Sequence, residues 1–368
     1  MTTQLKDADR LQLRHALQLA ERGRGRVSPN PLVGAVLVRD GELIGEGYHA
    51  DLGGLHAERA ALAECRARGE DPAGATMYVT LEPCAHQGRQ PPCVDAILES
   101  GVARVVIASE DPSEKASGRG PGMLRDGGVA VEFAAGAEAA DARLLNQAFR
   151  KHARTGIPLV ILKMAMSLDG QTTTVPGEDR WISGESSRPL VHRWRSESDA
   201  IAVGIGTVLA DDPLLTARLP GARQPIRVVF DSEARLPCGS QLLETLDRSP
   251  LIVVVAPDAD PARLSALGDS GAEILVVAGD TPAGRVQAAL ADLGRRGVTS
   301  VFLEGGRTLA TAFVSADQVD EARTFVAPTL LGGALTSAAA GATRREALES
   351  RAEPVGPDTL ITARFKEW

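Results

Sequence analysis

Apolar and polar positions alternate along this chain with two different periods, and each period predicts an element. Between Leu11 and Arg22, Leu13, Ala16, Leu17 and Ala20 fall on one helical stripe. Ser28-Pro-Asn-Pro31 breaks that helix, and the unbroken apolar run from Val33 to Val38 reads as a buried strand. Asp40-Gly41 is a hairpin-turn signal, so 42–47 pairs back on it. An Ala-, Glu- and Arg-rich helix follows over 57–68, stopped by Gly69, and then a strand over 76–80. A helix over 94–100 starts after Pro91-Pro92 and stops at Gly101, with strands at 105–108 and 129–133 beyond it. This alternation predicts an α/β sheet covered on both faces.

A second α/β unit begins near Gly156-Ile-Pro158. Its strands are expected at 159–165, 200–204, 226–230, 251–256, 274–277, 300–304, 322–327 and 359–365. Helices at 186–197, 261–268, 284–296 and 307–315 lie between them. The domains are therefore expected at 1–150 and 156–368, with Lys151 to Thr155 as linker. The Gly/Pro/Ser-rich stretches 232–250 and 336–358 read as loops, and there is no internal repeat.

The length of 368 residues agrees with two or three domains at about 150 residues each. Aromatic residues are only 3%, so the cores are built from Ala, Val, Leu and Ile, and the composition argues against a base-stacking surface. A net charge of −8 argues against nucleic acid as a partner. The charged N-terminal stretch has no apolar signal core, and no run of 18 apolar residues exists to span a membrane. Four cysteines in a chain of this length make no disulfide framework, which predicts a reduced, cytoplasmic protein. Ala/Val-rich surface on either domain leaves homo-oligomer formation open.

His56-Ala-Glu58 opens a helix, Cys84 follows a strand, and Cys93 starts the next helix. One imidazole and two thiolates form a zinc set with the fourth position left for water, as in catalytic rather than structural sites. Helix N-termini favour thiolates. Glu58, two residues from His56 and not a ligand, is placed to carry protons between water and a departing amine. A closed structural site would need a fourth ligand, for which His86 is the nearby candidate. His49 reads as a loop residue lining the site, and Cys65 and Cys238 as residues outside it.

Three blocks carry a resemblance: Asn30-Pro-x-Val-Gly-Ala-Val, His56-Ala-Glu58, and Thr80-Leu-Glu-Pro-Cys-Ala-His-x-Gly-Arg-x-Pro-Pro-Cys93. They resemble the deaminase half of the bifunctional riboflavin-biosynthesis deaminase/reductases. The eight residues between the cysteines separate this group from cytidine and tRNA-adenosine deaminases. The resemblance implies a cytidine-deaminase-like three-layer α/β/α domain with Zn2+ on His56, Cys84 and Cys93 and with Glu58 as the catalytic proton shuttle. It also implies Asn30 near the pyrimidine and Arg89 on the substrate phosphate, a role that suits an arginine fork. After Asp111-Pro112 relatives continue Asn-Pro, whereas this chain has Ser113-Glu114, a departure that touches deaminase substrate range.

In the second unit three polar clusters sit at strand ends: Lys163 to Gly170, Gly204 to Pro213, and Glu304-Gly-Gly306 leading into a helix. A strand, a glycine pair and a helix N-terminus suit a phosphate, although the third glycine of a dinucleotide fingerprint is absent. With Gly177-Glu-x-x-Trp-Ile-Ser183 and Thr207-Val-Leu-Ala-Asp-Asp-Pro213, these blocks resemble the reductase half of the same family. That half is a dihydrofolate-reductase-like α/β domain, which implies NADPH as cofactor. Matched positions imply nucleotide contacts at Ala165, Thr172, Trp181, Thr207, Asp211 and Ser232. They also include the run Gly306, Arg307, Thr308, Leu309, Ala310, Thr311 and Ala312. Substrate contacts are implied at Asp179, Arg195, Leu215, Arg218 and Glu304. The reaction implied is zinc-dependent deamination of a phosphoribosylaminopyrimidine, then reduction of its ribosyl chain to ribityl. Hydride addition needs a proton donor, for which Lys163, Asp211 and Glu304 are the ionisable candidates. The competing readings are a tRNA-adenosine deaminase, a paralogue acting on another pyrimidine or pteridine, and a structural zinc module with a nucleotide sensor.

Overall fold

The computed structural model describes residues 5–88, 90–114, 116, 118–172, 181–332 and 344–368. They divide into two compact units, one running through Gly156 and including Trp368, the other Ile157–Glu367.

In the first unit, β1 (Gly34–Arg39) and β2 (Glu42–Tyr48) form a hairpin over Asp40 and Gly41. Both turn residues have positive φ (53° and 86°), the mirror-image turn that matches strand twist. β3 (Thr76–Val79) pairs antiparallel with β1, and β4 (Arg104–Ile107) and β5 (Ala130–Phe133) extend the sheet in parallel. The strand order is β2-β1-β3-β4-β5. Helices α2 (Ala57–Ala67), α3 (Cys93–Glu99) and α4 (Arg119–Asp126) bury Leu62, Ile97 and Leu124 against Leu37 and Met77 on one face. On the other face, α1 (Asp7–Glu21) and α5 (Ala137–Leu145) pack Leu13 and Ala139 against Val36 and Tyr78. Neighbouring residues of β1 thus serve opposite cores, as strand geometry requires. In α1 the fully covered stripe runs through Leu19 rather than Leu17, which stays half-buried. α2 lies close on β2, because a Cβ at Gly45 would stand 2.6 Å from the Ala61 carbonyl oxygen. The stretch 151–155 is not a linker. It completes α6 (Gln147–Thr155), which Gly156 ends in the left-handed conformation at φ 70°.

The second unit is a nine-stranded sheet of β6 (Leu159–Ser167), β7 (Ala200–Gly204), β8 (Ile226–Phe230), β9 (Leu251–Val255), β10 (Glu273–Val276), β11 (Ser300–Leu303), β12 (Glu321–Ala327), β13 (Glu349–Val355) and β14 (Asp358–Arg364). Its order is β10-β9-β8-β7-β11-β6-β12-β14-β13, parallel from β10 to β12 and antiparallel at the last two strands. Helices α11 (Pro282–Arg295) and α12 (Arg307–Ser315) pack Leu290 and Phe313 on one face. On the other lie α7 (Ser187–Glu197), α8 (Ile205–Asp211), α9 (Gln241–Glu244) and α10 (Pro261–Asp269), burying Trp194, Val208, Leu243 and Leu267. Trp194 stacks on Phe325 at 5.6 Å and meets Phe302 edge-on at 5.9 Å, which fixes the rotation of α7.

Two stretches expected as loops contain structure. Part of 336–358 is β13, paired only with β14, and Gln241–Glu244 within 232–250 is a short helix. β13 carries no alternating apolar signal because six of its seven residues are exposed on an edge, where Pro354 is also tolerated. Among the described residues no helix is long and apolar enough to cross a membrane.

Candidate active sites

One end of the first sheet gathers the loops that matter. β2, β3 and β4 run parallel to one another and β1 runs against β2 and β3, so the segment before β1 meets the segments after the other three. Asn30, His49 to His56, Thr80 to Cys84, Cys93 and Ser109 therefore share that end of the sheet.

His56 is the N-cap of α2 and Cys93 opens α3. His56 Nδ1 lies 3.6 Å from Cys84 Sγ and 3.4 Å from Cys93 Sγ, and the Cys93 N–H donates to Cys84 Sγ at 3.4 Å. A tetrahedral zinc, with Zn–S about 2.3 Å and Zn–N about 2.0 Å, sets a ligand-to-ligand edge of about 3.5 Å. The three donors are thus already spaced for the metal. Among the described residues they form the only such group, and His86 is not part of it. Arg59 on α2 donates to the carbonyls of Pro91 (3.3 Å) and Pro92 (2.9 Å), tying His56's helix to the start of α3. The cluster lowers the Cys84 thiol to about 4, first through the Cys93 hydrogen bond and, after a burial penalty, through His56. The same partnership and burial push Cys93 upward.

Glu58 sits in the first turn of α2, 3% exposed. Burial, then the Cys84 charge, raises its carboxyl to about 7 in the metal-free cluster. His49, also buried, has its ring 5.4 Å from that of His56. Its Nδ1 pairs with the Leu55 carbonyl at 3.0 Å, which makes that nitrogen the donor and leaves Nε2 to accept from Asn30 Nδ2 at 3.0 Å. Asn30 is therefore fixed with its amide nitrogen committed, leaving its oxygen as the acceptor. Glu82, two residues before Cys84, is buried and raised to about 7 by burial, against backbone N–H groups of Asp111, Gly118 and Gly120. That contact brings the Ser113-Glu114 loop beside the cysteine loop. Arg89 lies outside the described residues.

In the second unit the chain leaves β7 toward β8 but leaves β11 toward β12, on the opposite side. The strand order therefore reverses between β7 and β11, where open parallel sheets bind ligands. A cavity of about 600 Å³ opens there. The two loops lie close together here, a Cβ on Gly306 standing in ordinary contact with Thr207 Oγ1 at 3.7 Å. Of the expected contacts, Ala165, Thr172, Trp181, Thr207, Asp211, Gly306, Arg307 and Ala310 line this cavity, as do Lys163, Arg195, Leu215, Arg218 and Glu304. Leu309 and Ala312 instead pack into the core, and Thr308 and Thr311 are exposed outside the lining. Ser232 lines a separate pocket with Asp258, Arg263 and Arg285. Asp179 lies outside the described residues.

Glu304 accepts from Arg195 Nε at 2.6 Å and Nη2 at 2.9 Å, while Arg195 Nη1 donates to the Thr216 carbonyl at 3.2 Å. Burial pushes the Glu304 carboxyl up, but Arg195 and then Lys163 outweigh it and hold it below its ordinary value. Burial lowers the Lys163 ammonium, with Glu304 opposing. Sequence reasoning missed Arg188 and His192, which line the same cavity from α7. Their signal was the spacing 188, 192, 195, one stripe of a helix whose other side holds Trp194.

A Cys–Cys–His centre beside a buried glutamate, on a three-layer α/β/α unit, defines a deaminase-class zinc hydrolase, here joined to a reductase fold. Residues 6–109 match the cytidine and deoxycytidylate deaminase zinc-binding region, and residues 158–361 match the RibD C-terminal domain. The chain is 41% identical to the riboflavin biosynthesis protein RibD of Actinobacillus pleuropneumoniae over 87% of its own length and 84% of that protein's. It is 39% identical to RibD of Escherichia coli, covering 88% and 89% of the two chains. Among solved structures, a Thermotoga maritima diaminohydroxyphosphoribosylaminopyrimidine deaminase/5-amino-6-(5-phosphoribosylamino)uracil reductase superposes with a TM-score of 0.84. That match has 34% identity and covers 98% of this chain and 99% of the other. Acinetobacter baumannii RibD gives 0.84 at 36% identity with the same coverage. The chain belongs to the RibD family of bifunctional riboflavin-biosynthesis deaminase/reductases.

Proposed function

We propose that the first unit hydrolytically deaminates 2,5-diamino-6-(5-phosphoribosylamino)pyrimidin-4-one and that the second reduces the ribosyl chain of the product to ribityl. The observation that carries this is the zinc-spaced triad of His56 Nδ1, Cys84 Sγ and Cys93 Sγ beside buried Glu58. When bound, zinc supplies the Lewis acidity that makes a water nucleophilic near neutral pH. Glu58 accepts a proton from the attacking water and delivers it to the departing ammonia, a role suited to a carboxyl held out of bulk solvent. Asn30, fixed by His49, offers its oxygen to a pyrimidine N–H.

In the second unit NADPH, when bound, supplies the hydride. Lys163, whose ammonium burial lowers and Glu304 supports, is the proton donor in this reading. Glu304 and Arg195 shape the wall on which the sugar chain rests, with Leu215 and Arg218 lining the same cavity. The four unpaired cysteines fit a cytoplasmic enzyme.

The test is a mass-spectrometric time course on zinc-loaded protein with the diaminopyrimidinone substrate. An amine replaced by oxygen without NADPH, followed by gain of two hydrogens only with NADPH, is the expected result. Reduction without prior deamination would overturn the assigned order.

A further inference from the structure

Arg195 matches the family's substrate position, yet three of its five N–H donors are already spent. Nε and Nη2 donate to Glu304 and Nη1 to the Thr216 carbonyl. The charge of Glu304 also acts on Lys163. A phosphate dianion entering this cavity would find the Arg195 charge already paired.

One turn and two turns earlier on the same stripe of α7, the situation is reversed. Arg188 lines the cavity, and its Nε is sealed from solvent with no hydrogen-bond partner among the described residues. Among the described residues its ion-pair partner is Glu185, which stands 3.7 Å away and is 91% exposed, so that pair is weak. The guanidinium lies 4.7 Å over the Trp181 ring, which holds its plane in place while leaving its hydrogen-bonding edge to another partner. His192, the next residue on the stripe, has an Nδ1 that is likewise buried and unpartnered. Leaving a buried polar group unpaired is unfavourable, and more so for a charged one. Two such atoms on neighbouring side chains of one cavity wall are explained together if a ligand oxygen completes both. Burial, then the flanking charges of Arg195 and Arg218, lowers the His192 pKa against the Thr216 backbone and Glu304.

We propose that Arg188, assisted by His192, is a receptor for a phosphate monoester in this cavity. The inference rests on the reductase reading above. Two ligands of that site carry such a group: the 5-phosphate of the sugar chain, and the 2′-phosphate that distinguishes NADPH from NADH.

The experiment uses the full chain and its R188A, R188K and H192Q variants. Calorimetry gives Kd for NADPH and for NADH, and steady-state kinetics give KM for the deaminated substrate with and without its 5-phosphate. Losing a charge-assisted fork weakens binding by roughly ten- to hundredfold. If R188A weakens only the phosphorylated substrate, the receptor serves the sugar phosphate. If it weakens NADPH but not NADH, the receptor serves the cofactor. R188K, which keeps the charge without the fork, is expected between wild type and R188A in whichever arm responds, and H192Q shows a smaller loss in the same arm. Unchanged affinities in R188A and R188K overturn the proposal, as does an equal loss for phosphorylated and unphosphorylated ligands. A wild-type protein that neither binds NADPH nor reduces the deaminated substrate overturns the reductase reading itself.

Discussion

Replacing Glu304 by Gln removes one negative charge from the cavity wall while keeping the side chain's shape. Glu304 and Arg195 are 11% and 12% exposed, and two short hydrogen bonds join them. Removing one partner of a buried ion pair costs about 3–5 kcal/mol. Gln retains one acceptor oxygen, which returns about 1 kcal/mol. The net loss is then about 2–4 kcal/mol. For a unit of this size that lowers the unfolding midpoint by roughly 4–16 °C. Because the folded-state pKa of Glu304 is depressed, its contribution is present above the unfolded pKa and lost as pH falls through the folded one. The gap between wild type and E304Q therefore closes in acid. The substitution also removes the charge that opposes burial at Lys163, so that ammonium's pKa falls further. If Lys163 donates the proton, reduction declines as pH rises through its pKa, and in E304Q that decline starts at lower pH. NADPH oxidation on pre-deaminated substrate, followed over roughly pH 6 to 10, reads this directly. An alkaline limb that coincides with wild type would remove Lys163 from the proton path. An unchanged midpoint at neutral pH would refute the reasoning about the ion pair.

Glu58→Gln is expected to slow ammonia release by about 10²- to 10⁴-fold, with NADPH oxidation on pre-deaminated substrate unaffected. Loss of both activities in a folded protein would sink the independence of the two sites. A chelator that strips zinc, with metal content followed by atomic emission, should likewise stop deamination alone. Asp9 accepts from Arg104 at 2.7 and 3.2 Å and from the Tyr78 hydroxyl at 2.7 Å, and the Arg104 hydrogen bond leads in lowering its pKa. Asp9→Asn should therefore lose about 2–3 kcal/mol at neutral pH. In urea titrations that difference should vanish as pH falls through the folded-state pKa, and a pH-independent difference would contradict the assignment.

The zinc centre was legible in the sequence because metal chemistry admits few residue types, and here they sit where strands hand over to helices. His56, Glu58 and Cys93 fall within the first turns of α2 and α3, so short-range pattern alone located them. What escaped was exposed or already paired. β13 lies on a sheet edge with its side chains in water, so no alternation marked it. The final turn of α6 resembled a linker because its residues are basic and polar, although Arg150 and Lys151 are buried within the unit.

Arg195 and Arg188 show the same limit at finer scale. Both are arginines on one stripe of a polar helix, and residue type cannot separate them. Arg195 fits a motif but spends its charge on Glu304, a partner 109 positions away in the chain. Arg188 fits no motif noticed in the sequence, yet it lines the cavity with a donor that has no partner among the described residues. Which cation is open to a ligand depends on the pairing already made inside the fold, and that pairing is set by tertiary contacts of long sequence separation. A net charge of −8 over the whole chain is therefore compatible with a cavity wall that still holds an arginine donor unpaired among the described residues.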